Sequence, residues 1–291
     1  MLTSHLKKIE NQILSLCPLH LRYYLRYLRV HKGIVDFNHP VKFSEKIYHR
    51  MRFPKKEFSD LSDKYLVRDY VTRKIGEKYL VPLYECLDKL DQDVINRLPD
   101  SFVIKATHGA GYVKIVKDKN KESHSTLIRE VNSWLNKDFS TVVDELHYKD
   151  IQPKIIVEKA LLINDTPPAD YKIHVFRETP NAKPFIFFQV IGGRFEELQQ
   201  NFFMEDWSPA PFIRKGSQSI KNSNLLIKPK CLEEMIDIAD KLSKPFGYCR
   251  VDLYIFEDSP FFGELTFTPS SGNYVFKPKK WDTILGHKFG W

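Results

Sequence analysis

The 291-residue chain is 42% apolar and 13% aromatic, enough to bury a core in two lobes or in one domain with an extension, which excludes the disordered and fibrous classes. A net charge of +8 favours an anionic partner: nucleotide phosphate, acidic glycan, lipid phosphate or nucleic acid. Apolar stretches such as FVIKA and PFIFFQVIG fall well short of the roughly 20 residues that cross a bilayer, and the N-terminus lacks an apolar core ahead of a cleavage site. A cytoplasmic location is therefore expected. Cys17, Cys86, Cys231 and Cys249 form no CxxC pair, so neither a zinc site nor a disulfide framework is indicated, and buried free thiols are expected.

In chain order, the first thirty or so residues read as helical. The segment LHLRYYLRYLRVHKG repeats aromatic and Leu positions at helical spacing with Arg between them. Such a face either packs on the body of the protein or rests on the inner face of a membrane or on an anionic glycan carrier. FSEKIYHRM follows as a helix with Ser44 as its N-cap, so residues 1–58 read as a helical extension. From there the pattern is mixed α/β: a helix SDKYLVRDYVTRKIG closing at Gly76, then a β-like run YLVPLYECL. The polar stretch DKLDQDVINRLPD is expected on the surface. SFVIKA and YVKIVKD read as strands around the turn THGAG, followed by a helix over 125–136. IIVEKALL, YKIHVFRE and PFIFFQVI read as further strands, NFFMEDWSP as irregular, CLEEMIDIADKLSKPF as a helix and YCRVDLYIFEDSPFFGELTFTPSSG as a hairpin, with a short helix near Trp281. The lobes are expected over 59–158 and 159–291.

The hairpin carries the strongest chemical signal. Strand alternation puts Arg250, Asp252 and Tyr254 on one face of the first strand, opposite Val251, Leu253 and Ile255, and Glu264, Thr266 and Thr268 together on the second, opposite Leu265 and Phe267. A three-residue loop, Glu257 to Ser259, would pair Asp252 directly with Glu264. Opposed carboxylates on a packed sheet need a cation between them, and Mg²⁺ suits two carboxylates plus phosphate oxygens; a solvated face with Arg250 neutralising one acid is the alternative. On this reading, alanine at Asp252 or Glu264 abolishes turnover and leaves the fold intact. The second signal is Lys105 beside the turn His108-Gly109-Ala110-Gly111, where glycine lets backbone N–H groups approach phosphate. It is neither GxxxxGK[ST] nor GxGxxG. His108 and His174 suit a general base or, more simply, a satisfied structural role.

Taken in order, DK opening a helix, a strand ending in IK, the glycine turn, VEKAL, then RVDLY and FGELTFTPSSG, the chain resembles the ATP-grasp superfamily. SDKYLVRDYV, DYKIHVF and GELTFTPSSG are similar to its TupA-like branch, associated with teichuronopeptide and other bacterial surface-polysaccharide assembly. The resemblance implies an α+β fold whose two lobes grip ATP, and an Mg²⁺-dependent ligase that phosphorylates a carboxylate to an acylphosphate for capture by an amine. It implies that Lys64 and Lys105 contact nucleotide phosphates, together with His108, Gly109 and Gly111 of the turn. Glu158, Lys159 and Leu161 form the adenine-side hinge strand, and Asp170 lies near ribose or phosphate. Lys172 lies by the terminal phosphate and Arg250 steadies developing charge. Asp252 and Glu264 are the implied metal ligands, with Thr266 standing where many members have Asn. The expected ligands are ATP and an anionic small molecule or glycan, in capsule or surface-polysaccharide synthesis. Rival readings are a glycan kinase using the same site, a glycosyltransferase and a basic nucleic-acid-binding module; no nucleic-acid recognition motif is present, so no such partner is expected.

Overall fold

The computed structural model describes residues 16–192, 199–220 and 224–291; the helical reading of the first fifteen residues lies outside these. The architecture is α+β, with two main antiparallel sheets. The smaller contains β1 (Leu83–Leu87), β2 (Phe102–Ala106), β3 (Val113–Val116) and β4 (Ile155–Lys159) in the order β1-β4-β2-β3. The larger contains β5 (Asp170–Phe176), β6 (Phe185–Gly192), β7 (Gln199–Met204), β9 (Tyr248–Phe256) and β10 (Ser259–Thr266) in the order β10-β9-β5-β6-β7. A two-stranded pairing joins β8 (Ile213–Arg214) to β11 (Phe276–Lys277).

Alternation decides what each sheet face meets. In β2, Phe102, Ile104 and Ala106 point into a core closed by the helix His124–Trp134 and by Leu90, Val94, Ile95 and Leu98. Lys105 therefore points the other way, on the same face as Glu158 of β4. In the larger sheet Ile173, Val175, Val251 and Leu253 pack on the helix Leu232–Ser243, which buries Met235, Ile238, Ala239 and Leu242 at 3,4 spacing. The opposite face is divided along its length. Phe176, Phe187 and Tyr248 meet Tyr23, Tyr27, Phe43 and Tyr48 of the N-terminal helices, while Asp170, Lys172 and Asp252 remain for the site.

Several expectations need correction. Lys42, not Ser44, caps the helix Phe43–Arg52; Glu45 accepts from the backbone N–H groups of Val41 and Lys42, while Ser44 bonds Asp282. SDKYLVRDYV is broken: a helix ends at Ser62, the Asp63 carboxylate accepts from the N–H groups of Tyr65 and Leu66, and a new helix runs Val67–Ile75 before Gly76. DKLDQDVINRLPD is not purely surface, because a short helix Gln92–Arg97, capped by Asp91, turns Val94 and Ile95 inward. NFFMEDWSP is not wholly irregular: its NFFM completes β7, with Phe202 and Phe203 buried. Of the cysteines only Cys249 is buried. Among the described residues no helix is long and apolar enough to cross a membrane.

Candidate active site

The hairpin β9–β10 pairs Asp252 with Glu264, but not through a three-residue loop. Phe256 pairs with Ser259 across a two-residue turn, Glu257-Asp258, in which both residues have left-handed φ, 51° and 59°. The register then shifts by one at Gly263, where an added Cβ would lie 3.0 Å from the carbonyl oxygen of Asp252. The bulge restores the parity that a longer loop would have produced. β5 adjoins β9 with Lys172 opposite Asp252, so Lys172, Asp252 and Glu264 form one row across three strands.

Side chains of the protein relieve the opposition of the two acids. Arg250 donates from Nε and Nη2 to the two oxygens of Asp252, at 2.6 and 2.7 Å, and from Nη2 to Glu264 at 2.7 Å. Lys172 Nζ lies 2.5 Å from Asp252 and 2.7 Å from Asp170. Burial disfavours the charge of Lys172, yet Asp252 and Asp170 outweigh it and raise its pKa above the usual range. Burial likewise opposes Arg250, and Asp252 and Glu264 raise it well above its ordinary value. The bland alternative of one neutralised acid is thus exceeded: Arg250 bridges both. Thr266 donates to Glu264 at 2.8 Å, which puts its oxygen beside the pair.

The smaller sheet brings a second charged group. Lys105 Nζ is 2.7 Å from Glu158, whose other oxygen accepts from Arg68 at 3.1 Å. Lys105 also sits 5.9 Å from the ring centroid of Tyr254, on the same face of β9 as Asp252, so the two sheets meet at this lysine. The Lys64 ammonium donates to the carbonyl of Gly109. Burial and nearby Lys105 lower its pKa, against the attraction of Glu264. Gly111 has φ of +84°, a backbone that favours glycine. Gly109 is enclosed by Phe139, whose Cγ an added Cβ would approach to 2.8 Å.

Not every candidate joins this cluster. His108 is buried and bonds the carbonyl of Trp134 at 3.1 Å, and burial lowers its pKa. His174 is also buried, between Tyr248 and Gln189, and its pKa falls well below the usual value through burial. Lys159 is exposed at the end of β4 and its N–H bonds the carbonyl of Pro82, while Leu161 is buried just beyond. The sequence reading missed Arg68, although it follows Lys64 by four residues. It also missed Glu145, whose carboxylate accepts from Thr268 and, at 2.7 Å, from Ser271 just past β10. No spacing signal links residues 123 positions apart.

The donor set fits Mg²⁺ in one form only. Among the described residues no group of three or more His, Cys, Asp or Glu side chains could hold a metal. Asp252 and Glu264 supply two hard oxygen donors with the Thr266 hydroxyl adjacent, and Mg²⁺ is commonly held by one or two carboxylates with substrate phosphates completing the shell. A cation between the acids would displace contacts from Arg250 and Lys172.

The tight fit around Gly109 has a stability consequence. Gly109→Ala forces the Phe139 ring to move and is expected to cost about 1–3 kcal/mol. Gly33→Ala, with nothing within 4 Å of the new methyl, is expected to cost no more than roughly 0.5 kcal/mol. Thermal unfolding of the two variants checks this, and equal midpoints would show that the loop yields without cost.

A family model described as TupA-like ATPgrasp matches residues 45–290. The chain belongs to this TupA-like ATP-grasp family, and its α+β architecture is the ATP-grasp fold. Among solved structures it is similar to the ADP complex of purK, N5-carboxyaminoimidazole ribonucleotide synthetase, at 13% identity over 75% of this chain and 47% of that one, with a TM-score of 0.46. It is also similar to D-alanine–D-alanine ligase from Helicobacter pylori, at 13% identity over 79% and 61% of the two chains, TM-score 0.46. The ATP complex of the Bacillus anthracis D-alanine–D-alanine ligase matches at 16% identity over 77% and 56%, TM-score 0.40. The chain spans about half to three-fifths of the length of these structures. No curated protein matches it.

Proposed function

We propose that the chain is an ATP- and Mg²⁺-dependent carboxylate–amine ligase that acts through an acylphosphate, joining an amine or amino acid to a sugar acid in the assembly of a bacterial surface polysaccharide. The observation that carries the reading is the row Lys172–Asp252–Glu264 bridged by Arg250, faced by Lys105 from the smaller sheet and by Lys64 from the turn between the helices Lys56–Ser62 and Val67–Ile75. Family membership supports the nucleotide, and the formal charge of +8 supports an anionic acceptor.

In this reading ATP would supply the phosphoryl group, and Mg²⁺, which Asp252 and Glu264 would hold, would screen its charge. Lys64 and Lys105 offset phosphate charge on one wall and Lys172 on the other. Arg250, buried beside both carboxylates, would supply positive charge where negative charge develops on the acyl oxygen. Glu158, held by Lys105 and Arg68, and Lys159 and Leu161 beyond it, form the base side. Asp170 is oriented by Lys172 beside the ribose or phosphate. Leu21, Leu25 and Leu28 lie exposed along the helix Leu19–His31, and this stripe is the surface through which a peripheral contact with the inner membrane face would be made.

The test is ADP release with Mg·ATP against a panel of uronic acids and amino acids. Release that requires both a carboxylate and an amine is expected. Release with a glycan hydroxyl and no inorganic phosphate would replace the ligase by a kinase. In a companion measurement, ATP with Mg²⁺ at about 100 times Kd is expected to raise stability by about 2.7 kcal/mol, and chelator to remove that gain. No shift at millimolar nucleotide would sink the reading.

A further inference from the structure

The far end of the five-stranded sheet holds a second group of cations for which the ligase reading has no use. β5 starts at Asp170 and Lys172 and runs into Arg177, roughly 23 Å further on. There a cavity of about 410 Å³ is lined by Arg50, Lys55, Lys244, Phe53, Phe246 and Trp291 among others. Arg50 is only 8% exposed. Its guanidinium lies 4.3 Å from the ring centroid of Phe289 and 5.1 Å from that of Phe58, and it donates to the carbonyl of Tyr248 at 2.8 Å. That bond uses one of five N–H donors.

What sets Arg50 apart is that, among the described residues, no carboxylate bonds it: burial lowers its pKa to about 10, and the exposed Glu57 attracts it only from beyond hydrogen-bond reach. Arg250 is just as buried and is held by two carboxylates. Among the described residues no carboxylate bonds Arg50, Lys55 or Lys244. Arg177, also in the wall, is committed to Asp240 and the carbonyl of Ala182, and Glu178 is exposed and paired with Lys288. Burial, with Arg50 beside them, also lowers the pKa of both Lys46 and His49, so the region is electropositive on more than one side. A buried charge without a partner is costly, and an anion entering the cavity would offset that cost. The floor is rigid: Arg177 N–H bonds the carbonyl of Gly247 and Gly290 N–H that of Arg177, each at 2.9 Å. An added Cβ on Gly247 would lie 1.7 Å from the carbonyl oxygen of Gly290.

We propose that this cavity is a second ligand site that binds a phosphoryl or carboxylate anion carried on a ring-shaped or apolar body. Arg50, Lys55 and Lys244 take the anion, and Phe53, Phe246 and Trp291 take the body. The site goes beyond the ligase reading and stands without it, because no residue of the nucleotide cluster lines it.

Titration calorimetry of the full chain with phenyl phosphate, benzoate and inorganic phosphate tests the assignment. Phenyl phosphate is expected to bind at least about tenfold more tightly than inorganic phosphate, since only it fills both halves of the cavity. The double variant Lys55→Glu, Lys244→Glu changes two exposed side chains and is expected to weaken phenyl phosphate at least about tenfold, while the Mg·ATP thermal shift stays unchanged. Arg50→Met is expected to do the same. Lys105→Met is expected to leave phenyl phosphate binding unchanged. Equal affinity for phenyl and inorganic phosphate, no binding of either aromatic anion at about 10 mM, or loss through Lys105→Met instead of the cavity lysines would each overturn the proposal.

Discussion

Asp252→Asn is expected to reduce turnover by about 10²–10³-fold or more, and to destabilise the protein as well. The sequence alone suggests that removing either hairpin acid relieves a like-charge clash and spares the fold. The side chains around the acids reverse that for Asp252. Its carboxylate is 3% exposed and receives Arg250, which is buried, and Lys172, which is largely so. Removing it leaves Lys172 with Asp170 alone and Arg250 with Glu264 alone, so alanine is expected to cost less than the about 3–5 kcal/mol of a pair broken with no acid left, but more than loss of an exposed acid. Asparagine keeps an oxygen for one of the two cations and should cost less. Glu264 differs because its side chain is 39% exposed and its partner Arg250 retains Asp252. Glu264→Gln is therefore expected to lose turnover to a similar extent while costing less than about 1 kcal/mol. Urea denaturation beside ADP release separates the effects. Wild-type turnover in Glu264→Gln would remove this carboxylate from the chemistry. Equal stability losses in Asp252→Ala and Glu264→Ala would show that the buried cations do not depend on Asp252.

The contrast also shows what the sequence makes legible. Alternation along RVDLY and GELTFT is a local property, so the shared face of Arg250, Asp252, Glu264 and Thr266 could be read directly, as could Lys105 opposite the inward Phe102, Ile104 and Ala106. Register is a property of the turn, and there the reading reached the right pair by the wrong route. A two-residue Glu-Asp turn alone would have placed Gly263 against Asp252, and only the bulge, an irregularity without a distinct signature, puts Glu264 there. β7 was missed because NFFMED does not alternate cleanly: Phe202 and Phe203 are adjacent, and each is buried, one on either face of the sheet. The helix break at Asp63 arises from one carboxylate capturing two N–H groups, which helical periodicity does not register. What could not be read at all is which cations answer which acids. Lys172 reaches Asp252 across 80 residues, and Arg68 reaches Glu158 across 90.

Glu145 shows the same long-range dependence and gives the other large expected effect. It closes the turn after β10, where Ser270, Ser271 and Gly272 all have left-handed φ, 52°, 50° and 71°. For the two serines that backbone is costly, of order 1 kcal/mol each or more, and it persists because the surroundings impose it. Thr268 and Ser271 both donate to the Glu145 carboxylate, and His31 meets the carbonyl of Gly272 at 2.9 Å. Burial raises the pKa of Glu145 from 4.5 to about 7, against the two hydroxyl hydrogen bonds and Arg250. His147, 3.7 Å away, gives no lasting counter-charge, since burial lowers its pKa to about 3. Between pH 4.5 and about 7 the folded chain therefore holds a proton that the unfolded chain has released. Stability falls as pH rises through that window and levels off above it, with a total loss of up to roughly 3 kcal/mol from this group. Glu145→Gln keeps an acceptor for the hydroxyls and removes the charge, so it is expected to be more stable than the wild type at pH 8 and to lose that advantage by pH 5. Asp282, also raised by burial, titrates in both proteins, so the difference between them isolates Glu145. Urea denaturation of the pair at several pH values reads the effect. If the two curves run parallel from pH 5 to pH 8, the carboxylate is solvated enough to ionise freely, and the turn that follows the Glu264 strand is held by its hydrogen bonds alone.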